Sequence, residues 1–313
     1  MASAAAAQSP SPVAKAAPPT ASPAAAATAG AVPAAASSPT ASASGGPPPQ
    51  LVVVRGEGPA AITRAAVAAL GGMGAFVKPG QRVLIKPNIC VSREPQYAAT
   101  TNPEVVATLV TLCREAGAAK VVVFDQGFSG VSTAYKVSGI EAAVTAAGGE
   151  MGTFSRLKYK TTPIPQGKDI KSWSIYEDAL TYDVLINVPI AKNHDLAQLT
   201  LSMKNLLGVV DNRGGFHSNI GQRLADLGTV IRPQLVLIDA VRILVRNGPT
   251  GGNLNDVKQT NTVIASVDPV AADAYGATLF GMKGDDLAYV RAGAALGLGN
   301  KDLANLRLAE LRL

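Results

Sequence analysis

Cysteine, histidine and aromatic side chains are all scarce in this chain, and each scarcity removes a class of function. Its two cysteines, Cys90 and Cys113, form no C-x-x-C, so the chain does not by itself supply the four thiolates of a structural zinc or an iron–sulfur cluster. The only histidines are His194 and His217, neither in an H-E-x-x-H helix, so no metal site is expected. Aromatic residues make up 4% of the chain, and no run of lysine and arginine is interleaved with them, which argues against a nucleic-acid surface. No G-x-S-x-G elbow, dinucleotide fingerprint or P-loop occurs. No apolar run has the length of a membrane span.

What is present is small and aliphatic. Hydrophobic residues account for 47% of the 313, and with few rings the core must be built from Ala, Val, Leu and Ile. That composition suits tightly packed α/β layers. Residues 1–50 are almost wholly Ala, Pro, Ser, Thr and Gly and read as a disordered leader, without the basic and apolar regions of an export signal. The chain as given reads as cytoplasmic; an export signal upstream of this start would place it in the cell envelope. Residues 51–313 read as the α/β domain, with a mostly parallel sheet and helices on both faces, as one body or as two fused α/β halves. The net charge of +6 falls almost entirely on that part, since Lys15 is the one ionisable side chain before residue 51.

Hydrophobic patterning gives successive β-α steps. Strands are expected at Leu51–Val54, Arg82–Lys86, Lys120–Phe124, Asp183–Val188, Leu235–Ile238 and Thr262–Val267. Helices are expected from Pro59, from Asn102-Pro103 to Ala116, over Ile140–Ala147, near Gln198–Leu207, near Ile220–Val230, and from Asp268-Pro269 toward Gly281. Residues 151–178 read as a hairpin or excursion beside the sheet, and the tail from Leu306 as an edge strand.

Ligands of open parallel sheets bind beyond the carboxyl ends of the strands. Four such ends carry polar groups: Lys86-Pro87-Asn88, Asp125-Gln126-Gly127, Lys192-Asn193-His194 and Asp239. A lysine ending a buried strand needs a counter-charge, so Lys86 faces either Asp125 on the neighbouring strand or an anionic ligand. Lys192, Asn193, Lys204 and Asn205 suit a cradle for a carboxylate or phosphate, or else a polar network that fixes the chain. Lys204 and Asn205, adjacent in a helical pattern, cannot share one face. His194, together with His217 in the loop Gly214–Asn219, is the natural candidate for acid–base chemistry near neutral pH. The turn Asn247–Gly252 is able to point backbone N–H groups at an anion. The expected catalytic pair is therefore His194 and Lys204. Ligand contacts are expected from Lys86, Asn88, Asp125, Lys192, Asn193, Asn205, His217 and Asp239.

Several ordered segments carry a resemblance: Ile85-Lys86-Pro87-Asn88, Thr101-Asn102-Pro103-Glu104, Lys192-Asn193-His194, Ser202 to Gly208, and Asp268 to Asp273. Over about residues 51–290 the chain resembles the domain of unknown function 362 family. The resemblance implies an α/β domain, often associated with iron–sulfur proteins because many members carry a ferredoxin-like cysteine segment, which is absent here. It also implies a distant likeness to the lactate racemase type of fold, in which two α/β halves close over a cofactor and an anionic hydroxy acid; that group's histidine-rich motif is not found here. Two functions remain open from the sequence. One is binding of, and action on, a small anionic molecule; the other is a redox accessory module that docks with an iron–sulfur or electron-transfer protein. The cofactor is left unassigned.

Overall fold

The computed structural model describes residues 47–128 and 130–313; the expected leader lies outside the described residues except for its last four. Among the described residues are twelve strands: β1 (Leu51–Arg55), β2 (Arg82–Pro87), β3 (Lys120–Val123), β4 (Glu150–Met151), β5 (Tyr159–Pro163), β6 (Ser172–Tyr176), β7 (Val184–Val188), β8 (Ile190–His194), β9 (Gln198–Thr200), β10 (Leu235–Leu244), β11 (Val257–Ser266) and β12 (Leu308–Arg312). Among them run helices α1 (Pro59–Ala69), α2 (Pro103–Glu115), α3 (Val131–Val137), α4 (Ile140–Ala146), α5 (Asp178–Thr181), α6 (Ser202–Asn205), α7 (Arg213–Phe216), α8 (Ile220–Gly228), α9 (Pro269–Thr278) and α10 (Ala288–Ala295).

Ten strands form one mostly parallel sheet in the order β12-β1-β11-β10-β7-β2-β3-β4, with β8 paired to β10 and β9 to β8. β2 runs parallel to both β3 and β7, and β10 runs parallel to β7 and β8. The antiparallel pairs are β1·β11, β10·β11 and β8·β9. The period-two alternation of strand side chains divides the core into two layers. Val52, Val54, Val83 and Ile85 face α1, α2, α3 and α4. Leu51, Val53 and Leu84 face the other side, where α8, α9 and α10 cover the sheet. The sequence is thus an α/β fold with helices on both faces.

The caps explain why the helices start where they do. Asn102 accepts a hydrogen bond from the Glu104 N–H (2.9 Å) with Pro103 behind it, and Asp268 accepts from the Ala271 N–H (2.8 Å) with Pro269 behind it. Residues 151–178 contain the expected hairpin, β5·β6, as a separate two-stranded sheet.

Two expectations are corrected. The segment expected as a helix near Gln198–Leu207 is strand β9 followed by the single turn α6 and a 3₁₀ turn, because β8 and β9 pair as an antiparallel hairpin that consumes its first residues. The strand expected to end at Ile238 instead continues to Leu244, held by its long antiparallel partner β11, so Asp239 sits in mid-strand.

Candidate functional site

Lys86 is carried on β2 with the same parity as Leu84, which turns it toward the α6 side of the sheet. Its side chain is 1% exposed, and its Nζ lies 2.7 Å from Asp125 Oδ1, just beyond the end of β3. Burial lowers the Lys86 ammonium from its ordinary value, and the Asp125 carboxylate works in the opposite direction. The other Lys86 contacts are the Pro87 carbonyl (2.9 Å) and Asn205 Oδ1 (3.1 Å). Asp125 Oδ2 accepts from the Ile89 N–H (2.6 Å). Of the two partners foreseen for Lys86, the structure supplies the carboxylate on the neighbouring strand. The pair needs Gly208 beside it, since a Cβ there would overlap both Lys86 Nζ and Asp125 Oδ1.

From this pair a polar network spreads through amides. Asn205 Nδ2 donates to Asn187 Oδ1 (2.8 Å), and Asn187 Nδ2 to the Ser202 carbonyl (2.8 Å). Asn88 Nδ2 donates to Asn205 Oδ1 (3.0 Å), while Asn88 Oδ1 accepts from Lys192 Nζ (3.0 Å). Lys192, fully buried on β8, also donates to the Ala99 (2.6 Å) and Pro249 (3.0 Å) carbonyls and lies 3.1 Å from Cys90 Sγ. An ammonium has three protons, so Lys192 has none to spare. It makes no ion pair with a carboxylate among the described residues, and its charge acts on Lys204 and His194.

Lys204 differs from both. It sits on α6, whose first N–H groups are fixed by the buried Asp273 carboxylate of α9: Ser202 N donates at 2.6 Å and Met203 N at 2.9 Å. It is 8% exposed, and its ammonium makes no hydrogen bond or ion pair among the described residues. Burial, followed by Lys192 and lesser charges including Arg213 and Lys86, lowers its pKa to about 7.

These side chains border one cavity of about 400 Å³. Lys86, Lys192, Lys204 and Arg213 contribute positive charge, while the acidic groups are Asp125, already paired, and Asp195, exposed at the rim. Phe128, Leu196 and Leu207 supply apolar wall. Arg213, at the start of α7, donates through Nη2 to Gln126 Oε1 (2.9 Å) and to backbone carbonyls. The Tyr159 hydroxyl also hydrogen-bonds the Arg213 side chain.

His194 borders the cavity with its Nδ1 occupied, accepting from the N–H groups of Leu196 (3.2 Å) and Ala197 (3.4 Å). That arrangement leaves Nε2 to carry the proton. Burial first, then Lys204 and Lys192, lowers its pKa to about 3. Its surroundings therefore favour the neutral imidazole, with Nε2–H as a hydrogen-bond donor. His217 lies exposed at the cavity's edge, its pKa lowered by burial and by Lys204.

Of the ten residues singled out from the sequence, the cavity gathers Lys86, Asn88, Asp125, Lys192, His194, Lys204, Asn205 and His217. It does not gather Asn193 or Asp239. The Asn193 side chain accepts from Gly248 N (3.1 Å) and so ties down the turn Asn247–Gly252. That turn presents the Pro249 carbonyl to Lys192 instead of N–H groups to an anion. Asp239 is fully buried and accepts from the N–H groups of Asn102 (2.7 Å) and Val241 (3.0 Å), anchoring the start of α2; burial raises its pKa to about 6. Arg213 and Asn187 were missed. Asn187 had a legible signal, as one amide within the apolar run of β7; Arg213 had none.

An iron–sulfur cluster does not fit the chain's own residues. Cys113 is on α2, packed into the apolar layer, while Cys90 borders the cavity, and no group of three His, Cys, Asp or Glu suited to a metal comes together among the described residues. No helix among them is long and apolar enough to cross a membrane.

The family model described as domain of unknown function (DUF362) matches residues 83–278. A thylakoid-associated protein of Synechocystis sp. (strain ATCC 27184 / PCC 6803 / Kazusa) is 30% identical over 213 residues, covering 65% of this chain and 64% of that protein. The lactate racemase apoprotein of Thermoanaerobacterium thermosaccharolyticum superposes with a TM-score of 0.46 at 12% identity, over 73% of this chain and 56% of that one. A structural-genomics protein of Thermotoga maritima gives 0.37 at 10% identity, over 77% and 59%. The chain thus spans less than two thirds of the length of these relatives.

Proposed function

The chain belongs to the domain of unknown function 362 family, and from that premise we propose that its cavity binds, and acts on, a small anion carrying a carboxylate or phosphate. The observation that supports this reading is Lys204. A buried ammonium without a partner is costly, and this one faces an open cavity among other positive charges. The three lysines are not equivalent in the reading. Lys86 is neutralised by Asp125, and Lys192 is saturated by carbonyls and amides and contributes its field. The donors left for a ligand are Lys204, the Arg213 N–H groups not taken by Gln126 or Tyr159, and Nε2 of His194.

A melting-temperature screen across small carboxylates and phosphates tests the reading. At least one anion is expected to stabilise the protein in proportion to its concentration. Equal melting temperatures across the whole series, at concentrations far above millimolar, would refute it.

The pH dependence has a definite sign. An anion favours protonated Lys204, whose amine in the free protein loses its proton above about pH 7. Binding above that pH must take up a proton, so the dissociation constant rises roughly tenfold per pH unit there and is nearly level below it. Titration calorimetry from about pH 6 to about pH 9 reads this directly.

A further inference from the structure

An ammonium that only anchors an anion is best kept protonated, with a second contact to hold it in place. Lys204 has neither advantage. Asp273 fixes the turn on which it stands, yet its own Nζ has no partner among the described residues. The positive groups Lys192, Arg213 and Lys86 line the same cavity, as do Cys90 and His217, and Asp125 is spent on Lys86. A primary amine in such a place is a nucleophile, because desolvation and neighbouring cations favour its unprotonated form. Protonated Lys204 pairs with the arriving anion, and once it has lost its proton the charge of the ligand is held by Arg213 and by His194 Nε2.

From this division of labour we infer that Lys204 forms an imine with the carbonyl carbon of a 2-oxo carboxylate whose carboxylate is held by Arg213 and His194. The inference rests on the anion-binding reading and gives it a substrate class.

The step balances without an outside oxidant or reductant. The Lys204 lone pair forms the C–N bond, and the carbonyl π pair moves to oxygen. The nitrogen gives up a proton and the oxygen takes one, giving a carbinolamine. Protonation of its hydroxyl releases water as the C=N bond forms. His217, exposed at the cavity's edge, exchanges these protons with solvent. The cationic imine then withdraws electrons from the carbon next to it, which is the chemical use of such an adduct.

The test uses the full chain with pyruvate or glyoxylate and cyanoborohydride, which reduces an imine to a stable secondary amine located by peptide mass spectrometry. Lys204 is expected to be labelled roughly tenfold or more faster than surface lysines, because more of its amine is unprotonated. Lactate, which has the same carboxylate and no carbonyl, is expected to slow that labelling while producing no adduct. Lys204→Arg keeps a charge without the nucleophile and is expected to retain the melting shift with lactate but lose the adduct. Should that variant not fold, lactate protection of Lys204 in the native chain decides the question. Labelling spread evenly over surface lysines, while pyruvate and lactate still raise the melting temperature, overturns the imine and leaves the anion site standing. No melting shift with either acid and no preference for Lys204 overturns the imine, and a flat response across the whole carboxylate and phosphate series overturns the anion site as well.

Discussion

Lys204→Met is expected to make the ligand-free protein more stable and the anion complex weaker. The folded chain releases the Lys204 proton near pH 7, whereas an unfolded lysine keeps its proton to 10.5. Between those values the unfolded state binds more protons, so stability rises with pH across that window. The cost of the buried amine is fully present at and below about pH 7 and is gone above 10.5. Methionine fills a similar volume without a charge and should recover on the order of 2–4 kcal/mol at pH 7, part of the cost being relieved already by water in the cavity. A thermal melt would show a rise of several degrees that shrinks as the pH is raised. Anion affinity should fall roughly 10- to 100-fold, the worth of a charge-assisted contact. A lysine retained for structure would give the reverse pattern, a less stable protein with unchanged binding.

Lys86→Met is expected to destabilise the chain by about 3–5 kcal/mol, because it leaves the Asp125 carboxylate buried and unpaired. Asp125→Asn alone should cost a similar amount by stranding the ammonium. Combining the two should recover much of the loss, since each residual charge is removed while the new amide oxygen still accepts from the Ile89 N–H. Urea unfolding of the two single variants and the double variant measures the coupling; additive losses would show that the pair is not the unit described here. The contrast between the two lysines follows from their partners. Both are buried beside one cavity, one with a carboxylate at 2.7 Å and one with no partner among the described residues.

Much of the fold was legible because local chemistry announces it. Asn102-Pro103 and Asp268-Pro269 combine a side-chain acceptor with a proline that begins a helix, and both caps form as the sequence suggests. Paired glycines after Leu70 and after Ala147 mark helix ends in the same local way. What failed were features decided by distant chain. Gln198–Leu207 has helical periodicity, but pairing with β8 draws Gln198–Thr200 into a strand. Asp239 looks like a strand end until β11 extends its partner beyond it.

The site divides along the same line. Its lysines, amides and histidines could be picked out as polar groups after buried strands. Which of them keep a free donor could not, because Lys86 and Asn205, or Lys192 and Asn88, meet across more than a hundred residues of sequence. Arg213 was invisible for that reason too. It sits in a polar loop, and only α7 and the contacts to Gln126 turn it toward the cavity.

On the proposed reading, Lys204 is a buried amine whose missing partner is an anion. Nitrogen-detected NMR on lysine-labelled protein follows that amine directly, with Lys204→Met to assign its signal. Titration of the free protein near pH 7, moving upward when a binding carboxylate is added, is the result this account predicts. Titration near the ordinary lysine value, unmoved by any anion that the protein binds, would contradict it.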